Sequence, residues 1–492
     1  MKQFITISRA KRSFIITGLA SLLLGLVCSE QAWADDWKAA KGPLMTRWGK
    51  AVTPENAHRE YPRPQLVRPR WMNLNGIWQL DIGSTEAKLP SEAKFDEKIL
   101  VPFPIESALS GVMKRTERAW YHRTFSVPKS WDGDRVILHF EAIDWEAEVF
   151  VNGKRVGLHR GGYDPFSFDI TGALNDGGEQ ELAVRVFDPS SSGSQPRGKQ
   201  INKPHGIYYT PSTGIWRTVW IEPVPEAHIG RLLIEPDVDG QCLKLKVEGK
   251  GTENGGYKVE AIAAEGGRKI PSVDGKVDAE MRLPIPKDKM KLWSPDSPTL
   301  YDLKVKLTKD GKNVDEVDSY FAMRKISLGK DAKGRTCMLV NGKPIFQVGT
   351  LDQGFWPDGL NAPPSDEAMR YDLEVTKRLG FNMVRKHVKV EPRRWYYWCD
   401  KLGLLVWQDM PSGDNKTPES KKQFERELLR MVEGLRNHPS IIVWVPFNEG
   451  WGQHDTAHYV DLLKKTDPSR LVNNASGWTD KKVGDIHDIH KY

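Results

Sequence analysis

The sequence predicts a multidomain chain of β plus α/β class. An N-terminal jelly-roll-like β-sandwich spans 35–223, an immunoglobulin-like β-sandwich spans 224–327, and 328–492 form the N-terminal part of an incomplete (β/α)8 TIM barrel. Three observations predict this. Short alternating segments broken by turns fill the first half of the chain. A smaller alternating unit follows Pro223 and Pro225. After Lys330, apolar strand-like runs begin to alternate with stretches of helical period.

Residues 1–34 read as a secretory signal. Lys2, Arg9, Lys11 and Arg12 precede an apolar run from Phe14 to Cys28, and Ala32-Trp33-Ala34 stands before Asp35. A charged start, a short apolar stretch and an A-x-A site predict cleavage after Ala34 and a secreted or periplasmic protein. The run is shorter than the roughly 20 apolar residues that span a bilayer, so no membrane association is expected after cleavage. The bulk of Val27 disfavours lipid attachment at Cys28.

The 492 residues are 39% hydrophobic, 10% aromatic and 28% charged, which suits a globular protein and excludes a disordered one. The net charge of +7 is spread thinly with no long run of one sign, which argues against a nucleic-acid partner. Cleavage leaves Cys242, Cys337 and Cys399, too few and too far apart for a disulfide framework, and no Cys-x-x-Cys spacing exists. Cys399 closes the apolar stretch Trp395-Tyr396-Tyr397-Trp398-Cys399 and is expected in the core. No phosphate loop or dinucleotide fingerprint occurs, and Gly161-Gly162 and Gly255-Gly256 read as turns. Kinases, dehydrogenases and zinc hydrolases fall behind, and no cofactor or metal is expected.

In chain order, 120–125, 136–140 and 148–151 alternate as strands, and Asn152-Gly153 is a two-residue hairpin signal because both positions need positive φ. Further strands fall at 181–186 and 218–221, with 189–211, rich in Ser, Gly and Pro, as a long surface loop. In the second unit, 243–248 and 303–307 alternate strictly, each with one wet face. The barrel begins with an apolar run at 345–349 and a helix at 365–379, with Ser365 at its start and Gly380 after its end. Strands at 381–385, 403–407 and 440–445 precede helices at 393–402, 419–437 and 454–465. Segments 470–473 and 484–487 are the fifth and sixth strands. Six such units in a row favour a closed parallel barrel.

Function on such a barrel gathers at the strand C-termini. Those ends supply Asp352, Arg385 with His387, Asp409, Asn448 with Glu449, and finally His490 and Tyr492, flanked by Trp356, Trp451 and Trp478. Carboxylates beside flat aromatic surfaces suit sugar chemistry. One carboxylic acid protonates the leaving oxygen, a second carboxylate supports the oxocarbenium-like centre, and rings stack on the sugar face. Plainer readings stand beside these. Asp409 serves equally as the ion-pair partner of a neighbouring cation. His487 and His490, three apart, would face opposite sides of a strand, which disfavours a metal pair.

The stretch Arg436-Asn437-His438-Pro439-Ser440-Ile441-Ile442-Val443-Trp444, continuing to Asn448-Glu449, resembles the acid/base motif of glycoside hydrolase family 2, which includes β-galactosidases, β-glucuronidases and β-mannosidases. Asn382-Met383-Val384-Arg385 and Asp400-Lys401-Leu402-Gly403-Leu404-Leu405-Val406-Trp407 resemble its other barrel motif. Tyr121-His122-Arg123-Thr124-Phe125, Val151-Asn152-Gly153 and Gly214-Ile215-Trp216-Arg217 resemble its sugar-binding sandwich. The resemblance implies a retaining exo-β-glycosidase, β-galactosidase-like, that hydrolyses a terminal sugar of an oligosaccharide or glycoconjugate without a cofactor. It makes Glu449 the general acid/base, puts Asn448 on the sugar 2-hydroxyl, has Arg385 order the floor, and places Tyr492 where the family has a tyrosine bonded to the nucleophile. His387, Asp352, Asp409 and Trp451 complete the expected substrate-binding set.

Two departures mark the motifs. Arg385-Lys386-His387-Val388 is one residue short of the family's Ser-His-x-Pro, and Thr350-Leu351-Asp352-Gln353 stands where Asn-Arg-His-Glu is usual. The family's nucleophile, a glutamate after the seventh strand, falls beyond Tyr492. About 160 residues of a barrel that takes about 250 are present, so a fragment of a longer protein is expected. The rival reading is a non-catalytic carbohydrate-binding protein, or a fragment inactive for want of that glutamate.

Overall fold

The computed structural model describes residues 37–85 and 95–492. The signal segment, its cleavage site and Cys28 lie outside the described residues. Ala39–Tyr492 cluster as one unit.

The first sandwich packs a six-stranded sheet on a four-stranded one. The larger runs Glu97–Val101, Gly76–Ile82, Arg118–Ser126, Glu179–Phe187, Glu146–Val151 and Lys154–Arg160 in spatial order. The smaller runs Met72–Asn73, Val219–Val224, Arg135–Phe140 and Phe166–Asp169. Alternation buries Leu80, Tyr121, Val149, Leu182 and Val184 against Leu138, Phe140, Val219 and Ile221. Asn152 and Gly153, with φ of +50° and +72°, close the expected hairpin.

In the second sandwich, Leu243, Leu245 and Val247 are fully buried while Lys244, Lys246 and Glu248 between them are not. Each such Leu or Val is worth about 1.5–3 kcal/mol of burial. Trp293 and Tyr320 tie this sandwich to the barrel. The Trp293 indole donates to the Asp400 carbonyl at 2.8 Å, and the Tyr320 hydroxyl donates to the Asp400 carboxylate at 2.7 Å.

The barrel segment is a parallel sheet in simple sequential order: β1 (Gly349–Asp352), β2 (Met383–Lys386), β3 (Leu405–Asp409), β4 (Ile441–Val445) and β5 (Leu471–Val472). Between them lie α1 (Asp366–Arg378), α2 (Arg393–Leu402), α3 (Pro418–Leu435) and α4 (Thr456–Thr466). Ser365 caps α1 by accepting the Ala368 N–H at 3.1 Å, and Gly403, at φ +74°, ends α2. Cys399 is fully buried, and Cys242, Cys337 and Cys399 are free thiols. Among the described residues no helix is long and apolar enough to cross a membrane.

Three expectations need correction. The apolar run 345–349 is not the first barrel strand. Lys343–Pro344 joins an antiparallel hairpin, Phe346 is 86% exposed, and β1 starts only at Gly349. A Cβ at Gly349 would lie 2.1 Å from the Met383 carbonyl oxygen, so close strand approach rather than apolarity sets the start. Segment 484–487 is not a sixth strand. It makes one isolated bridge, Asn473 to Ile486; Asp485 donates its N–H to the Val472 carbonyl at 2.8 Å but takes the Val472 N–H on its carboxylate at 2.9 Å, so no ladder forms. The loop 189–211 does not lie free on the surface. Its Arg197 and Gly198 N–H groups donate to the Ser412 carbonyl at 2.9 and 3.0 Å, which fixes it on the barrel.

Candidate active site

Strand β4 runs into Pro446-Phe447-Asn448-Glu449-Gly450 at the mouth of the barrel. Glu449 and Gly450 both have left-handed backbone, at φ +52° and +82°. That conformation costs a glutamate about 1–2 kcal/mol, so the surroundings must enforce it. They do so from the segment after β5: the Ser476 carbonyl accepts the Glu449 N–H at 2.8 Å, and Ser476 donates its own N–H to the Phe447 carbonyl at 2.9 Å. Phe447 is locked beneath by stacking on Phe424, rings 5.3 Å apart.

The turn presents the Glu449 carboxylate to two donors. The Tyr492 hydroxyl and His490 Nδ1 each lie 2.8 Å from Oε1. His490 Nε2 lies 3.2 Å from Arg385 Nη1 and 2.9 Å from Ser476 Oγ, so the ring is held from both sides while Nδ1 faces Glu449. Burial pushes the Glu449 pKa up, but the His490 and Tyr492 hydrogen bonds outweigh it and hold it below the usual range. Gly477 makes room for this pair: a Cβ there would stand 3.0 Å from His490 Nδ1 and 3.2 Å from Glu449 Cγ.

Beneath Glu449, Arg385 forks onto Asp409, Nε to Oδ1 at 3.0 Å and Nη2 to Oδ2 at 2.8 Å. Asp409 also takes His387 Nδ1 at 2.9 Å. Burial would raise the Asp409 pKa, and Arg385 with His387 more than reverses it, so Asp409 is the ionised floor of the site. The plainer reading of Asp409 as a cation's partner is the observed geometry. Arg385 Nη2 also donates to Asn448 Oδ1 at 2.9 Å, which fixes the amide's orientation. The buried Asn448 Nδ2 then has no partner among the described residues.

Asp352 sits one layer back. It pairs with Lys386 at 2.8 Å, and Lys386 and Lys389 share Glu391 at 2.9 and 2.8 Å. Burial drops Lys389 to about 8, Glu391 opposing the fall. Trp451 stacks on Tyr208 at 5.7 Å, and the largely exposed Trp478 stands edge-on to His490 and Tyr492 at 5.8 and 6.1 Å. Trp356 packs edge-on to Trp48 at 6.3 Å. His487 lies 3.5 Å from Asp480 while His490 faces Glu449, so the two histidines do not converge. Among the described residues no group of three or more His, Cys, Asp or Glu could hold a metal.

Several contributors escaped sequence reasoning. Asp488 accepts from Asn473, Ser476 and Gly477 and so secures the turn opposite Glu449. The first sandwich sends Lys199, Tyr208 and Tyr209 over the mouth, Tyr209 stacking on Phe355 at 4.2 Å. Two adjacent tyrosines in a polar, proline-rich loop, just before Gly214-Ile215-Trp216-Arg217, were the available signal. Lys199 is half-buried. Burial lowers its pKa, while Glu449 and Asp409 pull it up and Arg385 pushes it down.

Two β-sandwiches followed by a five-stranded part of a parallel barrel, with a glutamate and an amide at the mouth, define the scaffold of a multidomain glycoside hydrolase. Three sequence models of the glycosyl hydrolases family 2 match in order: the sugar binding domain at 71–223, the central domain at 218–324 and the TIM barrel domain at 335–491. The chain belongs to glycoside hydrolase family 2. It is 30% identical over 375 residues to a β-galactosidase of Thermoanaerobacter pseudethanolicus, covering 73% of this chain and 49% of that protein. It is 26% identical over 384 residues to a β-glucuronidase of Bacteroides fragilis, covering 72% and 54%. The chain thus spans about half the length of these curated relatives. Its fold matches that of a Ruminococcus gnavus β-glucuronidase solved with D-glucuronic acid, at TM-score 0.71 and 21% identity, over 86% of this chain and 74% of that one.

Proposed function

We propose that this chain carries the sugar-binding and acid/base part of an exported retaining exo-β-glycosidase that acts on a terminal sugar of an oligosaccharide or glycoconjugate. The observation that carries the reading is the Asn448-Glu449 pair at the end of β4, with Glu449 on a strained turn and held by two donors. The free Asn448 amide donor suits a sugar 2-hydroxyl, and Arg385 orients it. The second carboxylate comes from residues following Tyr492 in the complete protein. Retaining chemistry sets it about 5–5.5 Å from the first, where its negative charge raises the Glu449 pKa and makes Glu449 a proton donor. Glu449 protonates the departing oxygen, then takes the proton of the water that releases the sugar. Residues 1–34 direct export; N-terminal sequencing of exported protein then returns Asp35, and a start upstream of Ala34 contradicts it.

The test is Glu449→Gln in the complete protein, with two sets of substrates. Alkyl β-glycosides, whose leaving groups need protonation, lose about 10²–10⁴-fold in rate, and activated aryl glycosides lose far less. Equal losses in both sets remove Glu449 from the acid role.

A further inference from the structure

The mouth of the barrel is rich in ions that are already matched. Arg385 is neutralised by Asp409, and Lys386 and Lys389 by Asp352 and Glu391. Lys199 is the exception. Its ammonium makes no hydrogen bond or ion pair among the described residues, although it is half-buried and lines a small cavity with Tyr209, Gln353 and His387. The buried Gln353 Oε1 in that wall also lacks a partner.

Lys199 is held there by design of the loop. Gly198 before it donates to Ser412 at 3.0 Å, and its φ of +62° and a 2.4 Å approach of a notional Cβ to the Val388 carbonyl leave room for glycine alone. Gln200 after it bonds Asp144 at 2.8 Å and the Tyr163 hydroxyl at 3.0 Å. A long side chain between two fixed residues loses less freedom when it meets a ligand. A cation in a partly dry site that feels Glu449 and Asp409 without touching either is stabilised further by an anionic group on whatever enters.

We propose that Lys199 selects substrates whose sugar carries an anionic substituent, a carboxylate or a sulfate ester, through a charge-assisted hydrogen bond. This rests on the glycosidase reading of the site and redirects it from the neutral galactoside expected from the sequence to an acidic sugar. Selection comes from the first sandwich, so the domain that carries no proposed catalytic group sets the substrate class.

The test is equilibrium binding to the complete protein at low salt, using D-glucuronate, D-glucose 6-sulfate and D-glucose as probes and the fluorescence of the mouth tryptophans as readout. One of the acidic sugars binds about tenfold or more tighter than glucose, and which one does so distinguishes carboxylate from sulfate. In Lys199→Met the acidic-to-neutral ratio falls to near one, and Lys199→Arg keeps most of it. A ratio near one in the unaltered chain, a ratio unchanged by Lys199→Met, or no measurable binding of any probe overturns the proposal. Because the readout needs no turnover, the preference can fail while hydrolysis by the complete protein stands, and the reverse.

Discussion

Glu449 is ionised in the observed arrangement because donors converge on it, so an acid role requires a nearby negative charge to reverse that bias. Arg385 is the residue through which the site is assembled. It neutralises Asp409, contacts His490 and orients Asn448. Its ion pair is almost fully covered, at 11% and 1% side-chain exposure. Removing one partner of a buried pair costs about 3–5 kcal/mol, because the other charge is left without compensation. Asp409→Ala is therefore expected to lower the unfolding free energy by about that amount in urea titration. A loss under about 1 kcal/mol would mean that water reaches Arg385 and that the floor is not dry.

At the scale of elements, α3 docks on the first sandwich through polar groups as well as apolar ones. Gln423 donates to the Arg160 carbonyl at 3.0 Å and to Glu427 at 2.7 Å, and Arg430 pairs with Asp164 at 2.9 Å. Burial raises the Glu427 pKa, with Asp164 adding to it. Burial also raises Glu106, which accepts the Thr213 N–H at 2.9 Å, to about 8. Both carboxyls have a folded pKa above the ordinary 4.5, so the folded state binds the proton more tightly. The stability they contribute is complete below about pH 4.5 and is lost as pH rises through about 8. The urea midpoint is expected to fall across that window, and Glu106→Gln to flatten the fall. A slope unchanged by Glu106→Gln would place the proton elsewhere. The helices were legible in the sequence because their ends are chemically marked: Ser365 caps α1, and Gly380 and Gly403 follow α1 and α2 with positive φ. The errors at 345–349 and 484–487 have one cause. Apolar residues name a segment fit for a strand, but pairing depends on backbone approach at Gly349 and on the Asp485 carboxylate diverting Val472.

Across the whole molecule, the order of sandwich, sandwich and barrel was legible from the change of period, and the acidic mouth from reading strand ends. The contribution of the first sandwich to that mouth was not. Lys199, Tyr208 and Tyr209 lie more than 200 residues from Trp451 and Glu449 in sequence, and no local pattern encodes a contact of that span. The place of Glu449 at the mouth, just past β4, was legible from the strand pattern. Its partner His490 was visible only as a residue at the mouth, since the bond depends on Arg385 and Ser476 flanking Nε2 from distant parts of the chain. The proposed function puts the acid/base in this chain and the second carboxylate after Tyr492. Hydrolysis of an aryl β-glycoside by the complete protein and by the 492-residue chain, measured side by side, tests this most directly. The complete protein turns the substrate over and the 492-residue chain does not. Robust turnover by the 492-residue chain alone would contradict the account and move the search for the nucleophile to Asp409 and Asp352.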